Sequence, residues 1–127
     1  MENLLLYPDS FSKAPVIDFK VSGELSITGR SISENITEYF RPVFVWIGGL
    51  MDAPPATIML TIKLEYLNSK SSRILLHILK MLEQIYIQDK SNVQVNWFFE
   101  KDDLNLYEAG NDYKSIVNIP FKLCSFN

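Results

Sequence analysis

The chain has 127 residues, 47% of them apolar and 13% aromatic, with 15 Asp and Glu against 12 Lys and Arg for a formal net charge of −3. That length fits one domain (1–127), and the apolar content offsets chain entropy, which excludes disorder. The acidic balance excludes a nucleic-acid binder, whose phosphate contacts need clustered Lys and Arg, and a single cysteine, Cys124, excludes an internal disulfide or a thiolate metal cluster.

Met1-Glu2-Asn3-Leu4-Leu5-Leu6-Tyr7-Pro8 starts acidic, and its apolar run is far too short for a signal peptide. The most apolar stretch, Pro42 to Met51, is about ten residues with two glycines, too short to span a bilayer. A cytoplasmic protein is expected. Val16 to Val21 alternates apolar and polar, Ser22-Gly23 supplies a turn, and Leu25-Ser26-Ile27-Thr28 resumes the alternation, which predicts a β-hairpin closed by Gly29-Arg30. Ile36, Tyr39, Phe40, Val43, Phe44, Ile47, Leu50 and Met51 then recur at three- and four-residue intervals, one face of a helix. Ser31 with Glu34, or Asn35 with Glu38, is the candidate capping box. Pro42 is expected to kink this helix, and Gly48-Gly49 with Pro54-Pro55 to mark its exit.

Thr57 to Leu67 reads as a strand, its first half apolar nearly throughout as in a strand buried on both faces of a parallel sheet. After the polar Asn68-Ser69-Lys70-Ser71-Ser72, a helix is predicted from Arg73 to Gln88 on the apolar set Ile74, Leu75, Ile78, Leu79, Leu82, Ile85 and Tyr86. Val93 to Phe99 is a strand. Glu100 to Ser115 carries a short helix with Leu104, Tyr107 and Tyr113 facing inward, and Val117 to Leu123 ends the fold, with Pro120 favouring an edge. The order is β-β-α-β-α-β-α-β. Two parallel crossovers imply an α/β fold with a mixed, mostly parallel sheet and an N-terminal hairpin.

Few residues offer catalysis. His77 is the only histidine, so a triad or a histidine metal site lacks a second imidazole, and Gly48-Gly49 lacks the spacing of a phosphate loop. An enzyme using Cys124 or His77 is the weakest option. Asp102, Asp103, Glu108 and Asp112 cluster in sequence but do not have the spacing of a calcium loop. With the strand-to-helix junction, this acidic 100–112 segment defines the alternative reading, a small-ligand or metal-binding α/β module.

The junction itself is the informative place. Asn68 and Ser69 stand where an N-cap belongs, and the same unpaired N–H groups and positive helix end favour a phosphoserine there. Lys70, Arg73, His77, Lys80 and Gln84 follow a 3-4-3-4 spacing along one stripe, either a solvated face or a basic rim for an acidic partner surface or a phosphate.

Three blocks carry a resemblance. They are Gly29-Arg30-Ser31-Ile32-Ser33-Glu34-Asn35 with Tyr39-Phe40-Arg41-Pro42-Val43, then Leu64-Glu65-Tyr66-Leu67-Asn68-Ser69-Lys70-Ser71-Ser72, and then Trp97 to Asp103 with Glu108-Ala109-Gly110 and Ile119-Pro120-Phe121. On these, from about residue 14 to residue 123, the chain resembles the SiaC family of bacterial regulatory phosphoproteins. The resemblance implies a STAS-like fold, of the anti-sigma-factor-antagonist type, and no enzymatic activity or cofactor. It implies a Ser/Thr kinase and a PP2C-type phosphatase acting on the junction, and a diguanylate cyclase, activated by the unphosphorylated form, as effector in cyclic-di-GMP signalling. Ser69 aligns with the family's phosphoacceptor threonine, and Lys70 stands where the family usually has a hydroxyl residue. Asn68, Lys70, Ser71 and Ser72 would shape the site, with Arg73 and His77 on the partner face.

Overall fold

The computed structural model describes residues 1–8 and 13–127. Alternation sets the first antiparallel pair: β2 (Val16–Phe19) buries Ile17 and Phe19, β3 (Glu24–Ser31) buries Leu25 and Ile27, and Ile17 lies opposite Ile27. Gly23 turns the chain between them at φ +105, where a Cβ would meet the Thr57 carbonyl oxygen at 2.0 Å. From β3 the chain runs through α1 (Ile36–Asp52), β4 (Thr57–Leu67), α2 (Ser69–Ile87), β5 (Asn92–Glu100), α3 (Leu104–Ile116) and β6 (Phe121–Phe126). β3, β4, β5 and β6 pair in parallel, so there are three crossovers rather than two, α3 making the third. The mixed α/β fold, the hairpin and the mostly parallel sheet are as the sequence predicts.

One strand is additional. Leu4–Leu6 forms β1, antiparallel to β2 with Leu4 opposite Phe19. Three leucines in a row show no alternation, and the strand exists through contacts made elsewhere. The Asn3 side chain accepts from the Val21 N–H at 2.8 Å, and the Trp46 indole donates to the Glu2 carbonyl at 2.7 Å.

The sheet order is β1-β2-β3-β4-β5-β6, without reversal. Crossovers of one hand that always step the same way put every helix on the same side. Accordingly β4 buries Ile58, Leu60, Ile62 and Leu64 but exposes Thr57, Met59, Lys63 and Glu65, which corrects the expectation of a strand buried on both faces. Ile62 pairs with Trp97, and both belong to the single core beneath the helices.

The helix boundaries also differ in detail. Neither capping box forms: Ser31 ends β3 and points into the core, while Asn35 precedes α1 with no side-chain cap bond. Glu38 instead holds Arg41, at 2.6 Å. α1 continues through Pro42 on its exposed side and through Gly48-Gly49 to Asp52, so the glycines lie within the helix. Trp46 is buried against Phe19, with ring centroids 5.4 Å apart. In α3 the Asp103 side chain accepts from the Leu106 N–H at 3.1 Å and so sets the helix phase. Leu106, Gly110 and Tyr113 therefore face the core, and Leu104 and Tyr107 are exposed, contrary to their predicted inward positions. Tyr86 is exposed as well, and β6 begins at Phe121, just after Pro120, on the sheet edge.

Candidate functional site

Asn68 is the N-cap of α2. Its extended backbone leaves the Oδ1 free to accept from the Ser71 N–H at 2.9 Å, and its carbonyl takes the Ser72 N–H at 2.9 Å. The Asn68 N–H in turn donates to the Ser31 carbonyl at 3.0 Å, tying the end of β4 to the end of β3. Ser69 is thus the first helical residue rather than the cap.

The three serines of the junction have different fates. Ser71 is fully buried: its hydroxyl donates to the Ser31 carbonyl and accepts from the Ser31 hydroxyl, both at 2.7 Å. The Ser72 hydroxyl meets the Tyr113 hydroxyl at 2.9 Å, and that phenol donates to the Ser72 carbonyl at 2.8 Å. Burial raises the Tyr113 pKa, against a smaller downward pull from Ser72. Ser69 is exposed and its hydroxyl has no hydrogen bond among the described residues. The N–H groups of Ser69 and Lys70, in the first helical turn, have no intrahelical acceptor.

Two depressions flank this serine. On one side a cleft of about 300 Å³ is lined by Glu65 to Ser69 and Ser72 and closed by Asp103, Asn105, Leu106 and Ala109. Its far wall is the start of α3, which close packing holds down. The Trp97 indole donates to the Leu106 carbonyl at 2.9 Å, and Gly110 lies so close that a Cβ would meet the indole at 2.4 Å. On the other side a groove of about 380 Å³ runs between α1 and α2, lined by Thr37, Phe44, Lys70, Arg73, Ile74 and His77. His77 packs against Phe44 with centroids 4.6 Å apart and the rings tilted by 31°. The Lys70 ammonium donates to the Glu34 carbonyl at 3.4 Å, and neither Lys70 nor Arg73 forms an ion pair among the described residues. Lys80, further along the stripe, pairs with the buried Glu83, which also accepts from the Asn118 N–H.

The structure therefore brings Asn68, Ser69, Ser71 and Ser72 together at one junction and sets Lys70, Arg73 and His77 together in the adjoining groove. Sequence reasoning missed Ser31 and Tyr113, which lock two of the three hydroxyls from 40 and 41 residues away. It also missed Tyr66, exposed on the cleft with the Arg30 guanidinium 5.5 Å from its ring. Contacts at such separations leave no local spacing to find. The acidic segment does not form a metal site: among the described residues no three His, Cys, Asp or Glu side chains are grouped to hold an ion. Asp103 is engaged instead as a helix cap. No helix among the described residues is long and apolar enough to cross a membrane.

Comparison with known proteins agrees with this architecture. The model of a family described as SiaC family regulatory phosphoprotein matches residues 9–126. A protein of Pseudomonas aeruginosa described as uncharacterised is 26% identical over 102 residues, 80% of each chain. The crystal structure of apo-SiaC from the same organism superposes with a TM-score of 0.86 at 26% identity, covering 98% of this chain and 99% of that one. SiaC in a crystal structure of the diguanylate cyclase SiaD in complex with its activator SiaC, from the same organism, has the same fold, with a TM-score of 0.88 at 23% identity over 97% and 99% of the two chains.

Proposed function

The chain belongs to the SiaC family of regulatory phosphoproteins, and we propose that it is a non-enzymatic switch whose binding to a diguanylate cyclase is controlled by phosphorylation of Ser69. The observation that carries this reading is the inequality of the three junction serines. Ser71 is sealed by Ser31 and Ser72 is tied to Tyr113, whereas Ser69 is exposed on the first turn of α2. A kinase and a phosphatase need an accessible hydroxyl, and Ser69 is the one the junction offers. Support for the partner comes from SiaC of Pseudomonas aeruginosa, which occurs in a complex with a diguanylate cyclase.

The switch is local. A phosphate adds roughly −1.5 to −2 charges at a helix N-terminus, where the dipole and the unpaired N–H groups tolerate it. A partner surface matched to a neutral hydroxyl meets like charge there, at a cost of several kcal/mol, or a hundredfold or more in affinity. Arg73 and His77 extend the same surface. The protein would work in the cytoplasm, where a kinase and a cyclase have access to it.

Affinity capture from the source organism, with mass spectrometric identification of the bound proteins, tests the reading. The unphosphorylated chain is expected to retain a diguanylate cyclase that the Ser69→Asp variant does not, and phosphopeptide mapping is expected to find phosphate on Ser69 and none on Ser71 or Ser72. Equal capture of the cyclase by both forms, or phosphate on the buried Ser71, would sink it.

A further inference from the structure

Ser69 lines the cleft, and its neighbours on the first turns of α2, Lys70 and Arg73, line the groove. At about 100° per residue, Arg73 lies about 40° around the α2 axis from Ser69 and Ser72 about 60° the other way. Ser72 faces the cleft with Glu65 and Asp103, while Arg73 faces the groove with Lys70 and His77. A phosphate on Ser69 therefore chooses between a wall bearing two carboxylates and a rim bearing two fixed cations. Repulsion from Glu65 and Asp103 and attraction to Lys70 and Arg73 act in the same direction. Neither cation has a carboxylate partner among the described residues, unlike Lys20, Arg41 and Lys80, and the one acceptor Lys70 reaches there is the Glu34 carbonyl at 3.4 Å.

We infer that a phosphate on Ser69 is turned out of the acidic cleft and clamped within the chain by Arg73 and Lys70, so that it neutralises the basic rim of the α1–α2 groove. This rests on Ser69 being the acceptor, and it adds how the phosphate is read. Arg73, one turn on at i+4, offers a planar fork of donors suited to phosphate oxygens, and Lys70 adds a mobile point charge. Before phosphorylation the groove presents Lys70, Arg73 and His77 around Phe44 and Ile74, with no carboxylate among its lining residues. After phosphorylation the same surface is close to neutral. The switch then acts by withdrawing an attraction for an acidic partner segment as well as by adding a repulsion.

The test is independent of any kinase or partner. Phosphoserine is inserted at position 69 during translation, and the second pKa of the phosphate is followed by phosphorus NMR in the folded and the urea-denatured protein. The titratable and charged groups around the site are Lys70, Arg73, His77, Glu65, Asp103 and, beside Lys70, Glu34. The folded value is expected to lie about half a unit or more below the usual value of about 6. Arg73→Gln should bring it back by about half of that shift. Lys80→Gln, on the same stripe but about 16 Å along the helix, should leave it unchanged. A folded value at or above the denatured one, or equal effects of Arg73→Gln and Lys80→Gln, overturns the clamp. A phosphate that expels the cyclase while its pKa ignores Arg73 defeats the clamp alone. Phosphorylation that leaves cyclase capture unchanged defeats the switch, whatever the pKa shows.

Discussion

The cleft and the groove beside the start of α2 are of similar size, about 300 and 380 Å³, and share a helix, yet they are built from opposite materials. The cleft lies at the ends of β4 and β5, is walled by two helix N-termini, and carries Glu65 and Asp103. The groove lies between two helix flanks and carries Lys70, Arg73 and His77. Acidic residues near helix starts are favoured by the dipole and serve as caps, as Asp103 does for α3. Exposed cations along a helix flank do not cap a helix start: Lys70 reaches the Glu34 carbonyl at 3.4 Å, and neither it nor Arg73 has an ion-pair partner among the described residues. The cleft is therefore part of what holds the fold together, while the groove keeps two cations without an ion-pair partner among the described residues, and Ser69 lines the cleft next to Lys70 of the groove.

The contrast can be broken from either side. The largest expected effect is on binding: Ser69→Asp should lower affinity for the captured cyclase by a hundredfold or more, about 3 kcal/mol, measured by calorimetric titration. Its thermal midpoint should stay nearly unchanged, because an acid at the first helical position suits the dipole. Next comes Gly110→Ala, which drives a Cβ into the buried Trp97 indole and prises the α3 wall from the cleft. Overpacking outweighs the gain in helix propensity, for a net loss of about 1–2 kcal/mol in urea denaturation. The groove should be untouched, and a Gly110→Ala protein of unchanged stability would show that α3 yields freely.

Tyr113→Phe removes the phenol that bridges α3 to Ser72 and should cost about 1 kcal/mol, read from the same denaturation midpoints. It also has a pH signature. A folded-state pKa raised by burial contributes stability that is complete below the unfolded value of about 10 and is lost as pH rises through the folded value. Wild-type should thus weaken above pH of about 10 more steeply than the Phe variant. Tyr39, whose hydroxyl donates to the Pro15 carbonyl at 2.6 Å and whose pKa burial pushes up to about 12, contributes the remainder. The smallest effect belongs to the cap: Asn68→Ala should cost about 1 kcal/mol or less, and amide exchange at Ser71 should report it most directly.

Legibility in the sequence followed the range of the contacts. Thr57–Leu67 reads as a strand and forms one over the same residues, because a run of β-branched and apolar residues declares itself within a few positions. The Asn68 cap and the basic stripe are likewise local patterns, and both are where the spacing predicts. β1 was not legible, since its reason to exist lies in Phe19, Val21 and Trp46. The phase of α3 was misread because Leu104 and Tyr107 look more apolar than Gly110, whose value is that it has no side chain against Trp97. A capping box at Ser31 was expected on spacing alone, and the strand pairing with β4 overrode it.

The sequence by itself determined the α/β class, the order of the elements after β1, the polar junction at 68–72 and the family resemblance, all of which depend on neighbours along the chain. Only the tertiary structure decided that the sheet is covered on one face, because that follows from a strand order without reversal. It alone separated the three serines, because Ser31 and Tyr113 reach Ser71 and Ser72 across the fold and leave Ser69 exposed. A net charge of −3 says nothing of where charge lies. Folding sorted carboxylates to one side of Ser69 and cations to the other, because helix periodicity and the docking of α1 and α3 against α2 fix which faces meet.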